Sequence, residues 1–320
     1  MERPWLSVIL PTYNGEAFLE SALESVLPQL DGRVEVIAVD DGSTDSTIQI
    51  LESYREKMPL VIFERGRIGS WVANTNFGLE QARGDYVCFL HQDDLWLDGR
   101  LSHLRSWIDQ SRSTALFLHP SRFIDSDGRG VGLWRCPLPG GEVLESAFVV
   151  ERLLVQNFIS MPAPMFSREL ALKVGGLDED LWYTADWDFW LKLAALGKTV
   201  YHPQALSAFR IHPLSQTAVR SDRNDDFRKQ LEIVLERHLE DWKSFESIGR
   251  RVRRIAQYSV EVNIALAARV HGQESRLSHL FVQSLGLGPS GWLRYLRDSR
   301  ILERVLARQR VALAKRDPRR

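Results

Sequence analysis

The sequence contains little cysteine, with only Cys88 and Cys136 among 320 residues. Two cysteines are too few for a disulfide framework or a zinc cluster, and this scarcity is typical of a reducing compartment. Long apolar runs are also missing, because no stretch approaches the roughly 18–20 apolar residues that a membrane-spanning helix needs. The opening MERPWLSVILPTYNG reaches a turn after a short apolar run, so we expect no secretion signal. These absences predict a cytoplasmic protein that would meet a membrane only at its inner face.

The chain carries almost no net charge, −1 at pH 7, but this balance conceals two regions of opposite charge. Residues 1–220 hold 20 Lys and Arg against 29 Asp and Glu, whereas residues 221–320 hold 21 against 13. The acidic part mixes strand and helix patterns, and the basic part is helical in pattern and low in glycine up to GLGPSG. We therefore predict a principal domain over 1–220 and a basic helical C-terminal region over 221–320.

Strand-like runs alternate with helical patterns in the first third of the chain. The pairs are Leu6–Leu10 with Glu16–Leu27, Val34–Val39 with Asp45–Met58, Leu60–Phe63 with Ser70–Ala82, and Tyr86–Leu90 with Arg100–Ser111. Such alternation predicts an α/β fold with a mostly parallel, Rossmann-like sheet flanked by helices. LSVIL, VEVIAV and YVCFL are almost continuously apolar, as expected when both faces of a sheet are buried. Beyond about residue 115 the alternation is lost.

Polar clusters follow three of these strands, at Pro11–Gly15, Asp40–Asp45 and His91–Asp94. Ligands of open α/β sheets bind beyond the carboxyl ends of the strands, so we expect the clusters to converge on one edge. Two adjacent acids at 40 and 41 exceed what a helix cap requires, and one of them could accept hydrogen bonds from a nucleobase or ribose. The structural alternatives are turn chemistry in the first cluster and helix capping by Ser43 and Asp45 in the second.

The third cluster places His91, Asp93 and Asp94 directly after a buried strand. A carboxylate at such a position is costly unless it has a partner, and a hard divalent cation that neutralises a diphosphate would supply one. His91 and Asp93 would lie on the same side of an extended chain, so they could share one ion. The structural alternative is a buried core histidine followed by acids that cap the next helix.

The order of these segments resembles the family 2 glycosyltransferases with the GT-A fold. The matching segments are VILPTYNG, VDDGSTD, NFGLEQARGDYVCFLHQDDLW, GGLDED, TADWDFWLKL and FRIHPLSQT, which together cover roughly residues 5–218. The resemblance implies an inverting, metal-dependent transfer of a sugar from a nucleoside-diphosphate donor, usually a UDP-sugar, to an acceptor hydroxyl. The acceptor would be a growing glycan or a lipid-linked saccharide, and the cofactor would be Mn²⁺ or Mg²⁺.

The resemblance also implies a nucleotide site and a metal site. The nucleotide residues would be Pro11, Thr12, Tyr13, Asp40, Asp41, Gln92 and Asp93. The metal residues would be His91, Asp93, Asp94 and His212. His91 stands where the family has the first Asp of its Asp-X-Asp motif, so the site loses one negative charge. An imidazole ligates Mn²⁺ but suits Mg²⁺ poorly, so the two acids would carry most of the binding.

Asp186, in the segment TAD, stands at the position of the family's catalytic base. A carboxylate there would take the acceptor's proton during attack, opposite the leaving diphosphate. Ala185 precedes it where many members of the family have Glu, a departure on the acceptor side. The structural alternative for Asp186 is an N-cap of the following helix, and Asp188 would face elsewhere on that helix.

Residues 292–320 hold ten Lys and Arg against three acids, with apolar residues at helical spacing. Three interpretations compete: a helix packed on the catalytic domain, a docking face for a partner chain, and an interfacial helix on anionic lipid. A lipid-linked acceptor would suit peripheral membrane contact. No recognition motif accompanies the basic residues, so we expect no nucleic-acid partner.

Other functions are compatible with parts of this pattern. A non-catalytic nucleotide-sugar or glycan-binding module with the same fold is the main alternative. A sugar nucleotidyltransferase needs a glycine-rich, basic phosphate loop near its first strand, and PTYNGEAF has no basic residue. A nicotinamide dehydrogenase is disfavoured because no G-x-G-x-x-G follows the first strand.

Overall fold

The computed structural model describes residues 3–111, 114–213, 215, 224–241, 246–270 and 277–314. Its strands are β1 (Leu6–Thr12), β2 (Val34–Asp40), β3 (Leu60–Glu64), β4 (Tyr86–Phe89), β5 (Leu95–Trp96), β6 (Thr114–Leu118), β7 (Ser121–Ile124), β8 (Gly130–Trp134), β9 (Val143–Leu144), β10 (Met165–Ser167), β11 (Lys198–Tyr201) and β12 (Ser207–Arg210). Its helices are α1 (Leu19–Val26), α2 (Thr47–Tyr54), α3 (Trp71–Gln81), α4 (Arg100–Gln110), α5 (Ser146–Val155), α6 (Arg168–Lys173), α7 (Ala185–Leu196), α8 (Asn224–Asp241), α9 (Glu246–Val270), α10 (Leu277–Ser299) and α11 (Ile301–Ala314).

An eight-stranded sheet lies at the centre, in the order β3-β2-β1-β4-β10-β6-β11-β9. β3, β2, β1 and β4 run parallel to one another, as the alternating sequence pattern predicted. β10 is antiparallel to both of its neighbours, β4 and β6, and it comes from the part of the chain where the alternation is lost. A second sheet, in the order β5-β12-β7-β8, completes an α/β fold with helices flanking a mostly parallel sheet.

The central strands are buried on both faces, which explains their continuous apolar sequences. In β1, Val8 and Leu10 belong to the core cluster beneath α1, α2 and α4, whereas Ile9 belongs to the cluster beneath α3, α5 and α7. All three side chains are fully buried. Each contributes about 1.5–3 kcal/mol to the free energy of unfolding. Because both faces of these strands are buried, the position at which each strand ends is fixed. The positions of the polar clusters that follow the strands are therefore fixed as well.

α1 and α2 begin at Leu19 and Thr47, slightly later than the predicted starts at residues 16 and 45. The main-chain N–H of Glu16 donates to Asp45 Oδ2 at 3.1 Å, and Asp45 Oδ1 accepts from the N–H of Thr47 at 3.0 Å. These hydrogen bonds join the loops that precede the two helices. The first turns of the predicted helices are therefore part of the polar edge of the sheet.

The C-terminal helices pack on the sheet-bearing part of the chain. Phe227 and Leu231 of α8 and Val252 of α9 belong to the same apolar core as α5 and α7. The single helix predicted from residue 292 onward is wrong, because Arg300 adopts a left-handed backbone (φ 50°) that separates α10 from α11. α10 is itself broken at Gly288 (φ 63°), just before a proline.

Two features of the predicted C-terminal region lie outside the described residues: the domain boundary at 220/221 and the last residues, 315–320. The division into two domains therefore stays a prediction. None of the helices in the described ranges combines the length and the apolar character that crossing a membrane requires.

Candidate active site

Asp40 joins the carboxyl ends of β1 and β2 through hydrogen bonds. Its Oδ1 accepts from Thr12 Oγ1 at 3.0 Å, and its Oδ2 accepts from the Ser43 N–H at 2.8 Å. The Ser43 hydroxyl also donates to Asp40, so the expected cap of α2 by Ser43 is wrong. With 1% of its surface exposed, Asp40 gives its hydrogen-bonding capacity to neighbouring protein groups. A nucleotide-binding role for Asp40 stays a prediction.

Asp41 lies beside a loop that the sequence did not single out, residues 65–69. Its carboxylate accepts from the N–H groups of Ile68 and Gly69 at 2.7 and 3.0 Å, and from the guanidinium of Arg67. Arg67 lies over the ring of Tyr13, with its Cζ 3.6 Å from the ring centroid. Tyr13, Asp41 and Arg67 therefore form a group of one aromatic face, one carboxylate and one cation.

The loops after β1 and β4 are joined by Gln92. The Tyr13 N–H donates to Gln92 Oε1 at 2.8 Å, and Gln92 Nε2 donates to the Tyr13 carbonyl at 3.0 Å. Gly15 makes this contact possible, because a Cβ at that position would lie 2.4 Å from Gln92 Oε1. The predicted convergence of the three polar clusters on one edge is thus visible in direct contacts.

Residues 91–94 form a turn closed by a hydrogen bond from the Asp94 N–H to the His91 carbonyl at 3.1 Å. The extended conformation that would have placed His91 and Asp93 on one side is therefore wrong. The ring of His91 instead packs edge-on against Trp71, with centroids 5.6 Å apart. Burial lowers the pKa of His91 despite the nearby charge of Asp93, and its Nε2 has no hydrogen-bond partner among the described residues.

Asp93 and His212 are in contact, with Asp93 Oδ2 2.8 Å from His212 Nε2. Burial opposes ionisation of Asp93, but the hydrogen bond from His212 and the two neighbouring histidines hold its pKa below its usual value. Asp94 is turned toward β12, where it accepts from the Arg210 N–H at 3.0 Å. Burial and the adjacent Asp93 raise the pKa of Asp94 well above its usual value. Asp93 therefore ionises more readily than Asp94.

Within the described ranges, no three His, Cys, Asp or Glu side chains are arranged to hold one ion. A Mg²⁺ ion at a phosphate site needs only one or two carboxylates in addition to phosphate oxygens and water, so a complete protein cage is not required. The ionised Asp93, the adjoining His212 and the unpartnered Nε2 of His91 fit such a partial site. Metal ligation by these residues and by Asp94 stays a prediction.

Asp186 lies in the first turn of α7, partly buried. Asn157 Nδ2 donates to its Oδ2 at 2.8 Å, and the N–H of Trp187 donates to its Oδ1 at 2.8 Å. Burial raises the pKa of Asp186 to about 6, and these hydrogen bonds and the positive charge of Arg304 act in the opposite direction. Thr184, not Asp186, occupies the N-cap position. The carboxylate is therefore fixed in orientation, and its pKa lies close to neutral pH.

Trp71 connects the surroundings of Asp186 with the third cluster. Its ring contacts His91, and its indole N–H donates to the Trp182 carbonyl at 2.8 Å, four residues before Asp186. On the other side, Arg304 of α11 donates to the Asn157 carbonyl at 3.3 Å. The catalytic candidate thus lies between the carboxyl edge of the sheet and the C-terminal helices.

Asp188 faces away from this site, as the helical spacing predicted. It is fully buried and lies 2.6 Å from Lys192 Nζ and 2.9 Å from both Arg237 Nη1 and His238 Nε2. Burial opposes its ionisation, but the hydrogen bonds and charges of His238 and Lys192 lower the pKa of Asp188 to about 2. This ion network fastens α8 to α7, so it stabilises the helix that carries Asp186.

Arg67, Asn157 and Arg304 are the site residues that sequence reasoning missed. Arg67 contacts Asp41 and Asn157 contacts Asp186, whereas Arg304 contacts Asn157; none of the three belongs to a motif of its own. The glycines around Arg67 were the only available signal. Gly42 and Gly69 have φ values of 73° and 80°, and a Cβ on Gly42 would lie 3.0 Å from the Arg67 amide nitrogen.

The profile of Glycosyl transferase family 2 matches residues 7–152, the range that contains all three polar clusters. The chain belongs to the family 2 glycosyltransferases. An uncharacterised glycosyltransferase of Rickettsia typhi is 26% identical over 241 residues, which cover 70% of this chain and 69% of the relative. An uncharacterised protein of Mycobacterium tuberculosis is 30% identical over 224 residues, covering 67% of this chain and 70% of the relative.

Solved structures share the fold of this glycosyltransferase. S. aureus TarS 1–349 in complex with UDP-GlcNAc matches with a TM-score of 0.63 at 22% identity, over 92% of this chain and 79% of TarS 1–349. The mannosyltransferase PcManGT from Pyrobaculum calidifontis, in complex with GDP-Man and Mn²⁺, matches with a TM-score of 0.55 at 18% identity, over 99% of this chain and 89% of that protein. These matches confirm the predicted GT-A fold.

Proposed function

We propose that this glycosyltransferase moves a sugar from a nucleoside-diphosphate donor, a UDP-sugar, to an acceptor hydroxyl with inversion at the anomeric carbon. The acceptor would be a growing glycan or a lipid-linked saccharide. The proposal depends on the position of Asp186. Asn157 orients this carboxylate, its pKa is about 6, and Trp71 links the preceding Trp182 to the polar edge of the sheet. The complexes of two structural neighbours with UDP-GlcNAc and GDP-Man support a nucleotide-sugar donor.

The base of the donor would stack on Tyr13 and hydrogen-bond to Asp41. Tyr13 supplies an aromatic face, and the carboxylate of Asp41 accepts N–H donors at this edge. A base on Tyr13 takes the position that Arg67 holds over the ring, so donor binding would displace the guanidinium. Gln92 keeps Tyr13 in place by hydrogen-bonding both its N–H and its carbonyl.

The diphosphate would lie beside Asp93 and His212, with His91 next to them. Asp93 and His212 are the side chains that would hold Mn²⁺ or Mg²⁺. The Mn²⁺ in the PcManGT complex supports the use of a divalent cation. When bound, such an ion would stabilise the negative charge that develops on the leaving diphosphate. The low pKa of Asp93 keeps its carboxylate ionised for this purpose at neutral pH.

Asp186 would act as the general base. At pH 7 a carboxyl group with a pKa near 6 is mostly ionised, yet it is basic enough to accept a proton from an attacking hydroxyl. Asn157 and the Trp187 N–H fix the orientation of the carboxylate, and each oxygen keeps a lone pair for the acceptor. Attack from the face opposite the diphosphate would invert the anomeric configuration.

A panel of UDP- and GDP-sugars tests this function directly. We expect one donor to raise the melting temperature in the presence of Mn²⁺ and to be hydrolysed slowly or transferred by the full chain. Binding without turnover under every acceptor condition would instead support the alternative of a non-catalytic nucleotide-sugar-binding module. Absence of binding to every donor would contradict both.

The C-terminal helices would place the enzyme on an anionic membrane surface. Eight apolar side chains of α10 and α11 are 40–71% exposed, in a region rich in arginine: Phe281, Val282, Leu285, Leu293, Leu296, Leu302, Leu306 and Leu313. Apolar side chains interspersed with basic ones are typical of helices that bind at lipid interfaces. A lipid-linked acceptor would be presented at such a surface.

Liposome co-sedimentation tests the membrane proposal. The triple variant Phe281→Ser, Val282→Ser, Leu285→Ser should lose binding to vesicles that contain anionic lipid. The matched control, Val61→Ser with Leu172→Ser, removes apolar side chains of 41% and 39% exposure elsewhere and should bind normally. Equal binding by both variants, or a change in oligomeric state instead of lipid binding, would contradict the membrane role.

A further inference from the structure

Arg304 is a cation of the C-terminal helices that reaches the surroundings of the candidate base. It lies on α11, and its Nη1 donates to the Asn157 carbonyl at 3.3 Å. The side chain of the same Asn157 donates to Asp186 Oδ2 at 2.8 Å. One residue therefore contacts both the guanidinium and the carboxylate, although Arg304 and Asp186 form no ion pair within 4.0 Å in the described part of the chain.

No acid forms an ion pair with Arg304 within the described part of the chain. Arg294 and Arg300, the other partly buried arginines of this segment, both form ion pairs, Arg294 with Glu151 at 2.8 Å and Arg300 with Glu303 at 3.2 Å. Within the described ranges, the N–H groups of Arg304 make one hydrogen bond to the protein, to the Asn157 carbonyl. A guanidinium has five N–H donors, so most of the donors of this cation are available to a ligand.

The surroundings of Arg304 are suited to a ligand that is anionic and carries a sugar. Its Cζ lies 5.0 Å from the ring centroid of Trp134 in β8, and the indole Nε1 of Trp134 is buried without a hydrogen-bond partner among the described residues. Burial lowers the pKa of Arg304 to about 10, and Arg308 adds to this, while Tyr183 and Asp186 oppose it. At neutral pH the group remains a cation.

We propose that Arg304 binds an oxyanion of the acceptor, a phosphate or a carboxylate, next to the hydroxyl that Asp186 deprotonates. This inference rests on the proposed transferase function and names the class of its acceptor. The guanidinium presents paired N–H donors that match phosphate and carboxylate oxygens. The ligand belongs to the acceptor because Arg304 lies on the Asn157 side of Asp186, whereas the donor's diphosphate would lie at Asp93 and His212.

A binding experiment that needs no turnover tests this site. Glucose 6-phosphate, glucuronate and glucose serve as phosphate-bearing, carboxylate-bearing and neutral probes, titrated calorimetrically into the full chain with UDP present at saturation. We expect at least one anionic probe to bind about tenfold or more tightly than glucose, in line with hydrogen bonds to charged groups. The stronger of the two anionic probes identifies the oxyanion.

The variants Arg304→Gln and Arg304→Lys then test whether Arg304 is the source of the preference for anionic probes over glucose. Arg304→Gln should reduce it about tenfold, and Arg304→Lys should keep part of it because the charge remains without the paired donors. Arg251→Gln, which removes an exposed arginine of α9, is the matched control and should bind like the wild type. Melting temperatures verify that each variant is folded. A wild type without preference for anionic probes, or an unchanged preference in Arg304→Gln, would overturn the proposal.

A pH profile separates this inference from the function on which it rests. Arg304 is the charged group acting on Asp186 in the described structure, with Tyr183, Arg308 and Tyr295 around the guanidinium itself. Removing its charge should raise the pKa of Asp186, so the acid limb of donor hydrolysis should move to higher pH in Arg304→Gln. An unmoved limb overturns the proposed proximity. If no donor turns over at all, the proposed function fails, while the probe titrations still decide the anion site.

Discussion

Asp40 lies at the carboxyl edge of the sheet, and Asp186 lies four residues beyond Trp182, which Trp71 links to that edge; the surroundings of these two carboxylates differ. Asp40 is almost fully buried and is hydrogen-bonded by Thr12 and Ser43 from its own neighbourhood. Asp186 is partly buried, accepts from Asn157 and from the Trp187 N–H, and has a pKa raised by burial to about 6. The first arrangement holds loops in position, and the second leaves a carboxylate ready to exchange a proton.

The same difference separates the two sides of the candidate active site. The proposed donor side is built from three strand-end loops in the first 94 residues, joined by the Tyr13–Gln92 hydrogen bonds and by the hydrogen bond from Thr12 to Asp40. The proposed acceptor side combines α7, Asn157 and α11, which are far apart in sequence. We infer that the donor side is a property of the sheet itself, whereas the acceptor side depends on how the C-terminal helices pack.

The largest expected effect comes from Asp186→Asn, which should nearly abolish transfer without changing nucleotide binding. The amide cannot accept the acceptor's proton, so kcat for transfer should fall about 10²–10⁴-fold. Nucleotide affinity, measured by calorimetry, should stay unchanged because the donor side is intact. The control Asp180→Asn alters an exposed acid in the preceding loop and should leave kcat normal. Near-normal transfer by Asp186→Asn would remove the assignment of the base.

Asp188→Asn should loosen the attachment of the C-terminal helices. The variant leaves Lys192, Arg237 and His238 around a neutral amide, and breaking a buried ion network typically costs about 3–5 kcal/mol. Chemical denaturation measures the loss, and Asp109→Asn on the exposed face of α4 is the control.

The pH dependence of stability independently tests how much the ionised carboxylate of Asp188 stabilises the fold. Its pKa is about 2 in the folded protein, below the usual 3.8, so its contribution is fully present above about pH 4 and is lost as the pH falls toward 2. The wild type should lose stability over this interval relative to Asp188→Asn. Parallel stability curves for the two proteins would contradict the role of the network.

Asp93→Asn should damage the donor side alone. Loss of the ionised oxygen beside His212 should reduce metal-dependent affinity for UDP about 10- to 100-fold, as measured by calorimetry with and without Mn²⁺. Asp98→Asn removes an exposed acid a few residues later and serves as the control. Unchanged UDP affinity in Asp93→Asn with Mn²⁺ present would show that the metal, if used, lies elsewhere.

The pH–rate profile of the wild type should sharpen the contrast between the two carboxylates. Because the pKa of Asp186 is about 6, activity should be full above that pH and should fall about tenfold for each pH unit below it. Nucleotide binding at pH 6 should show no matching loss. An acid limb near pH 4 would mean that Asp186 is not the group that titrates.

The smallest expected effect is that of Tyr13→Ala. Loss of the stacking face should weaken UDP binding by about 1 kcal/mol, roughly fivefold. Tyr13→Phe keeps the ring and both main-chain hydrogen bonds to Gln92, so it should bind normally. Equal affinities for the Ala and Phe variants would exclude stacking on this ring.

Much of the donor side could be predicted from the sequence because its residues follow buried strands. A continuous apolar run fixes the end of β1, β2 or β4, and the next few residues must then meet at one edge. The turn at 91–94 was not predictable in this way, because its conformation depends on Asp94 reaching Arg210, 116 residues later in the chain. Periodicity carries no signal for such a contact.

The acceptor side was predicted only at Asp186, through the resemblance of its motif. Asn157 and Arg304 occur in stretches whose sequence is ordinary for a loop and for a solvent-facing helix. Asn157 reaches Asp186, and Arg304 reaches Asn157, through the packing of α5, α7 and the C-terminal helices, which depends on side-chain volumes across the whole core. The break between α10 and α11 lies at Arg300 and directs α11 back toward β8. The sequence has no glycine at this position that would have predicted the break.

A crystal structure of the full chain with UDP and Mn²⁺ tests the central claim most directly, namely that one sheet edge binds the donor opposite Asp186. We predict the base on Tyr13 beside Asp41, the diphosphate next to Asp93 and His212, and Asp186 facing the open end of the diphosphate. Nucleotide bound at another surface, with Asp93 and Asp186 both away from it, would contradict the account.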